Sequence, residues 1–147
     1  MCAKLHVWKG KEHDGEIAGH GGLELSGGTY ISWRRNMFPD DNESQPINPT
    51  TLEDDCNFEG RAADKTFPVH ASEIDEYIIL RWWREWQTRR EWKKQGEITP
   101  CFTVLEAIMA GRGWSRSEKG VRMDPGELVD QVARLGVITR NEGCVIQ

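Results

Sequence analysis

No stretch of the chain is long and apolar enough to span a bilayer as a helix, and the first residues, MCAKLHVWKGKEHDGE, lack the apolar run of a secretory signal. The expectation is a soluble protein with no membrane partner, either cytoplasmic or an effector delivered without a signal peptide. The four cysteines, Cys2, Cys56, Cys101 and Cys144, show no close pairing and no C-x-x-C. A reduced interior is therefore the simpler expectation, although spacing alone leaves two distant disulfides open. His6 and His13 lie in a segment with no helical pattern, where their spacing creates no common face; neither a metal nor a cofactor is expected. Basic residues are in the minority, 19 Lys and Arg against 24 Asp and Glu, and the formal charge of −5 opposes a partner made of phosphate backbone. Internal repeats and low-complexity tracts are absent as well.

What is present fits one domain over residues 1–147: 37% hydrophobic residues, seven of the chain's residues being tryptophan, are enough for one mixed core. Charge is unevenly spread. Residues 81–94 carry six basic and two acidic side chains, a surface suited to an acidic partner or simply a solvated helix face. Residues 39–60 carry seven acidic side chains and no basic one, and self-repulsion predicts a mobile surface segment there.

Alternation over residues 2–8, with Leu5 and Val7 on one side, predicts a strand, and residues 10–19 a loop. The segment GHGGLELSGGTYISWRR reads as a hairpin. With Ser26, Gly27 and Gly28 as its loop, Leu23 faces Ile31 and Gly22 faces Ser32, which gathers the apolar side chains on one face. His20, Glu24, Tyr30 and Ser32 then share the other. Residues 34–71 hold Pro39, Pro46 and Pro49 and the acidic run; a short strand near 66–70 and a functional lid are expected within them. A helix is predicted from Ser72 to about Trp92, with Ile74, Ile78 and Trp82 as a stripe widened by Ile79, Trp83 and Trp86. Thr99-Pro100-Cys101 opens the next helix, and Asp124-Pro125-Gly126-Glu127 a last one that ends at Gly136. Residues 137–139 and 144–146 suggest a terminal hairpin.

Two residues stand out chemically. With Thr99 as cap, Cys101 occupies the second helical position, where N–H groups lack intrahelical acceptors and the helix dipole favours an anion. A thiolate should be stabilised there, and the same N–H groups could receive the oxyanion of an attacked carbonyl. The plainer alternative is a small buried hydrophobe. His20 begins a strand between Gly19 and Gly21-Gly22, where little bulk obstructs an approaching helix end, so its imidazole is suited to take a thiol proton and return it to a leaving group.

Together, GHGGLELSGGTYISW and TPCFTVLEAIMAGRG resemble the circularly permuted papain-like proteins of the NlpC/P60 and lecithin-retinol-acyltransferase-like superfamily. The resemblance covers residues 19–33 and 99–113. It implies an α+β fold, a small antiparallel sheet packed against helices, with Cys101 the nucleophile, His20 the catalytic histidine, and Ser32 on the following strand as the residue that orients it. Glu24, on the same strand face as His20, is an alternative orienter. Pro100 stands where the family often has Asn, and Ser32 brings no charge to an imidazolium. The implied activity is thiol-dependent hydrolysis of a peptide-like amide in a peptide or protein substrate, through a thioester. Acyl transfer at the same site, and an interaction module that has lost catalysis, are the alternatives.

Overall fold

The computed structural model describes residues 2–10, 12–13, 16–17, 19–34, 47–89, 99–114 and 123–142. Four antiparallel strands form the central sheet. β1 (Lys4–Trp8) lies between β4 (His20–Glu24) and β6 (Lys65–Pro68), and β5 (Tyr30–Ile31) is the edge beyond β4. A separate two-stranded pair, β2 (Glu12–His13) with β3 (Glu16–Ile17), stands where the sequence predicts only a loop. The helices are α1 (Leu52–Glu59), α2 (Glu76–Arg89), α3 (Pro100–Ala110) and α4 (Pro125–Arg134).

The hairpin has the register its apolar alternation demands: Leu23 pairs with Ile31, Glu24 with Tyr30, and Leu25 N–H donates to Thr29 O at 2.8 Å. Odd-numbered residues of β1 and β4 face the core with Phe67 of β6 and α2, α3 and α4. Leu5, Leu23, Ile31 and Phe67 are essentially inaccessible there, each contributing about 1.5–3 kcal/mol by leaving water. The even-numbered face is buried too: His6, Trp8, His20, Tyr30 and Ser32 are all covered, because α1 lies over it.

α1 is the main departure from the sequence reading. Thr51 caps it by accepting a bond from Asp54 N–H, three carboxylates occupy its first turn, and Gly60 at φ 72° ends it in the left-handed conformation. The acidic run over residues 52–59 is therefore an ordered helix rather than a repelling loop, since each charge sits at a helix start or beside a partner. The strand expected near 66–70 is β6, one residue earlier. The lid expectation falls largely on residues 35–46, outside those described.

α2 begins at Glu76 rather than Ser72. A 3-10 turn (Ala71–Glu73) precedes it, and Asp75 accepts from Tyr77 N–H at 3.1 Å and Ile78 N–H at 3.3 Å. Its buried residues are Ile79, Trp83 and Trp86, so the stripe centres one position beyond the predicted Ile78 and Trp82. Trp86 stacks on Trp83 at 5.0 Å between ring centres and meets Trp33 at 5.8 Å, geometry typical of favourable aromatic pairs. Of the basic stretch, Arg81, Arg84 and Arg89 are exposed on α2, and Arg89 pairs with Glu85 at 3.6 Å. Residues 90–94 lie outside the described residues. So do Cys144 and the second strand of the expected terminal hairpin, 144–146; its first, 137–139, is not a strand, and a 3-10 turn (Arg140–Glu142) follows it. Cys2, Cys56 and Cys101 are free thiols. No described helix is long and apolar enough to cross a membrane.

Candidate functional site

Thr99, Pro100 and Cys101 form the helix start their sequence implies. Thr99 Oγ1 accepts from Phe102 N–H, Pro100 is the first helical residue, and Cys101 follows it. Thr99 is held from outside as well, accepting from Met123 N–H and donating to Met123 O, both at 3.1 Å. This ties the start of α3 to the approach of α4, whose own cap, Asp124, accepts from Glu127 N–H at 2.8 Å. Trp33 Nε1–H donates to Thr103 Oγ1 at 2.8 Å and locks the same turn of α3 to the end of β5. Cys101 N–H has no acceptor among the described residues.

The sulfur sits against β4 where that strand has no side chain: a Cβ built on Gly21 would lie 3.4 Å from Cys101 Sγ and 2.9 Å from Leu128 Cδ2. Cys101 is 2% exposed. Burial, reinforced by the carboxylates of Asp124 and Glu127, pushes its thiol up to about 12. The stabilised thiolate expected from the helix start is not what this environment favours. Desolvation acts on the whole charge, whereas the helix start supplies only a partial one.

His20, one residue before Gly21, directs its ring to the other face of the sheet. There Nε2 lies 2.9 Å from Asp55 Oδ2 and 2.8 Å from Ser32 Oγ. Ser32 O–H and Tyr30 O–H donate to the same carboxylate oxygen at 2.7 and 2.6 Å, and Arg34 Nε–H donates to Oδ1 at 2.9 Å. Arg34 also reaches Glu59 at 2.9 Å, one helical turn from Asp55. Asp55 is 0% exposed. Burial alone would raise its carboxyl, but the bond and charge of His20, with the Tyr30 and Ser32 hydroxyls, outweigh burial and hold it at about 2. An ionised Asp55 takes a donor at Nε2, so in the neutral form of the ring Nδ1 is the nitrogen without a proton. Nδ1 has no partner among the described residues. Trp8 packs on the ring at 5.6 Å and donates its own N–H to Arg61 O, closing the cluster from the β1 side.

Of the sequence-predicted site residues, His20 and Ser32 are thus in contact with each other. Cys101 adjoins Gly21 rather than the His20 ring, and no hydrogen bond joins the sulfur to an imidazole among the described residues. Glu24, the alternative orienter, is directed elsewhere: it accepts from His6 Nε2 at 3.3 Å, while His6 Nδ1 meets Thr66 Oγ1 at 2.8 Å. Burial lowers the His6 pKa despite Glu24. Sequence reasoning missed Asp55 and Arg34 as members of the cluster, and placed Tyr30 on the shared face without giving it a role. The available signal was local: Thr51 as cap, Gly60 as stop, and Asp55 and Glu59 four residues apart on one helix face. No group of three or more His, Cys, Asp or Glu that could hold a metal occurs among the described residues. No family model matches the chain, and neither does any curated protein or solved structure, so these contacts carry the functional argument.

Proposed function

We propose that the chain is a thiol-dependent hydrolase of the permuted papain-like type that cleaves a peptide-like amide, with Cys101 as nucleophile and His20 as base. The observation that carries this reading is the adjacency within β4. His20 is held at Nε2 by a buried carboxylate and a serine, and the next residue, Gly21, offers bare backbone to the Cys101 sulfur at the start of a helix. A neutral thiol meets the substrate carbonyl, Nδ1 of His20 takes the thiol proton as the S–C bond forms, and the Cys101 N–H receives the oxyanion. His20 returns the proton to the departing amine, the C–N bond breaks, and water releases the acid from the thioester. Asp55 stabilises the imidazolium with a full negative charge, the element that Ser32 lacks. This chemistry requires the ring and the sulfur to meet at the end of β4 once substrate displaces the cover from both.

A second reading, an interaction module without catalysis, is favoured by the closed thiol and by the opposite directions in which His20 and Gly21 leave the strand. Incubation of the native protein with a peptidyl acyloxymethyl ketone, followed by peptide mapping, separates the two. Alkylation at Cys101 that is lost in His20→Ala supports the hydrolase. Modification of Cys2 alone, with Cys101 untouched, eliminates it and leaves the module.

A further inference from the structure

The helix-facing rows of β1 and β6 end in cations. Along β1 that row runs Leu5, Val7, Lys9; on β6 it contains Phe67 and Lys65, with Val7 opposite Lys65 and Leu5 opposite Phe67. α4 covers the apolar part of these rows incompletely, leaving a cavity of about 260 Å³ with Val7, Phe67, Pro125 and Val129 as its apolar wall. Lys9, Lys65 and Arg140 surround it, with Asp130 as the one carboxylate in the lining.

Two neighbouring acids are already committed. Asp130 is paired with Arg140, and Asp64 accepts from Arg61 at 2.9 Å and from the Lys9 backbone N–H at 2.6 Å. The ammonium groups of Lys9 and Lys65 have no ion-pair partner among the described residues. The cavity thus joins an apolar wall to two positive charges that no described acid pairs. It also lies on the same face of the sheet as the Cys101 sulfur: Val7 is the register partner of Gly21, and Leu128 of α4 touches both Gly21 and that side of the core.

We propose that this cavity binds a short apolar group bearing a carboxylate, and that it selects the substrate of Cys101. The second half rests on the hydrolase reading; the first does not. Burying the apolar body against Val7, Phe67 and Val129 supplies affinity, and the two lysines choose an acid over an amine or an alcohol.

The test is titration of the isotope-labelled protein with N-acetyl-leucine, octanoate and octylamine, following the amide signals of Val7 and Val129. Either acid should bind and shift these signals, the tighter of the two identifying a peptide carboxyl terminus or a free acyl chain as the source. Lys9→Gln with Lys65→Gln should weaken the acid about fivefold, as expected for two exposed charge contacts. Val129→Trp, which fills the cavity, should abolish binding while leaving the Tm within the range of a surface change. Equal binding of octylamine, or undiminished acid binding in the double lysine variant, overturns the proposal. Cys101→Ala should keep full acid affinity, so a cavity that binds in a protein with no turnover refutes only the hydrolase. Turnover in a protein whose cavity ignores both acids refutes only the cavity.

Discussion

Asp55→Asn tests the buried cluster most directly. Every hydrogen bond of the carboxylate among the described residues is with a donor: His20, Tyr30 and Ser32 on Oδ2, at 2.9, 2.6 and 2.7 Å, and Arg34 on Oδ1 at 2.9 Å. An amide of the same shape must turn its N–H2 toward at least one of these donors, and it withdraws the charge facing Arg34. Breaking a buried ion pair from one side costs about 3–5 kcal/mol. Because Glu59 still holds Arg34 at 2.9 Å, the lower end, about 3 kcal/mol, is expected. With a urea slope of about 2 kcal/mol/M, the unfolding midpoint at pH 7 should fall by about 1.5 M. A second arm uses acid. The folded carboxyl at about 2, against 3.8 ordinarily, contributes stability that is complete above pH 3.8 and lost as pH falls toward 2. Its size is on the order of 2 kcal/mol. The gap between wild type and Asp55→Asn should therefore narrow by that amount between pH 5 and pH 2. A midpoint change under about 0.25 M at pH 7, or a gap that stays the same at both pH values, refutes the reasoning.

Gly22→Ala should destabilise by about 1–3 kcal/mol in thermal unfolding, because its new methyl would enter the space of the Tyr30 hydroxyl and approach Asp55 Oδ2. Gly27→Ala, with nothing within 4 Å of the added carbon, should stay within about 0.5 kcal/mol of wild type. His6 is held below its ordinary pKa by burial, so its contribution to stability is present above pH 6.5 and lost as pH falls through the lowered value. His6→Gln should flatten the urea midpoint over that window; an unchanged slope would show that the ring does not titrate as argued. Asp124→Asn keeps a capping side chain but removes one of the charges that raise the Cys101 thiol. Alkylation of Cys101 at pH 8 should quicken by less than tenfold, burial being the larger cause, and a slower rate at unchanged Tm would contradict the assignment.

The parts of the fold visible in the sequence are those where apolar period and end signals agree. Leu23, Leu25 and Ile31 set the register of the hairpin, and Thr99-Pro100 and Asp124-Pro125 mark two helix starts that need no tertiary information. α1 gave no such agreement, because it buries no apolar stripe: among its residues only Asp55 is fully covered, and what holds it is a set of polar bonds from β4, β5 and Arg34. Hydrophobic periodicity is blind to a helix docked in that way. The same limit explains the site. His20 and Ser32 were legible as neighbours because strand alternation places them on one face, whereas their shared acceptor comes from a helix 23 residues beyond Ser32. Its seven-acid neighbourhood looked like a solvated run.

Cys101 shows how position in a helix and position in a fold can oppose each other. Placement near the start of α3 offers an anion about 0.3–2 kcal/mol of stabilisation. The shift of the thiol from 9 to about 12 corresponds to a cost on the order of 4 kcal/mol against the same anion. Burial wins, and the resting sulfur is a thiol at any physiological pH. Under the proposed hydrolase reading, chemistry at this sulfur begins with removal of its cover and transfer of its proton in the same event as bond formation. An ionised Asp55 behind the imidazole then matters more than the helix start in front of the sulfur.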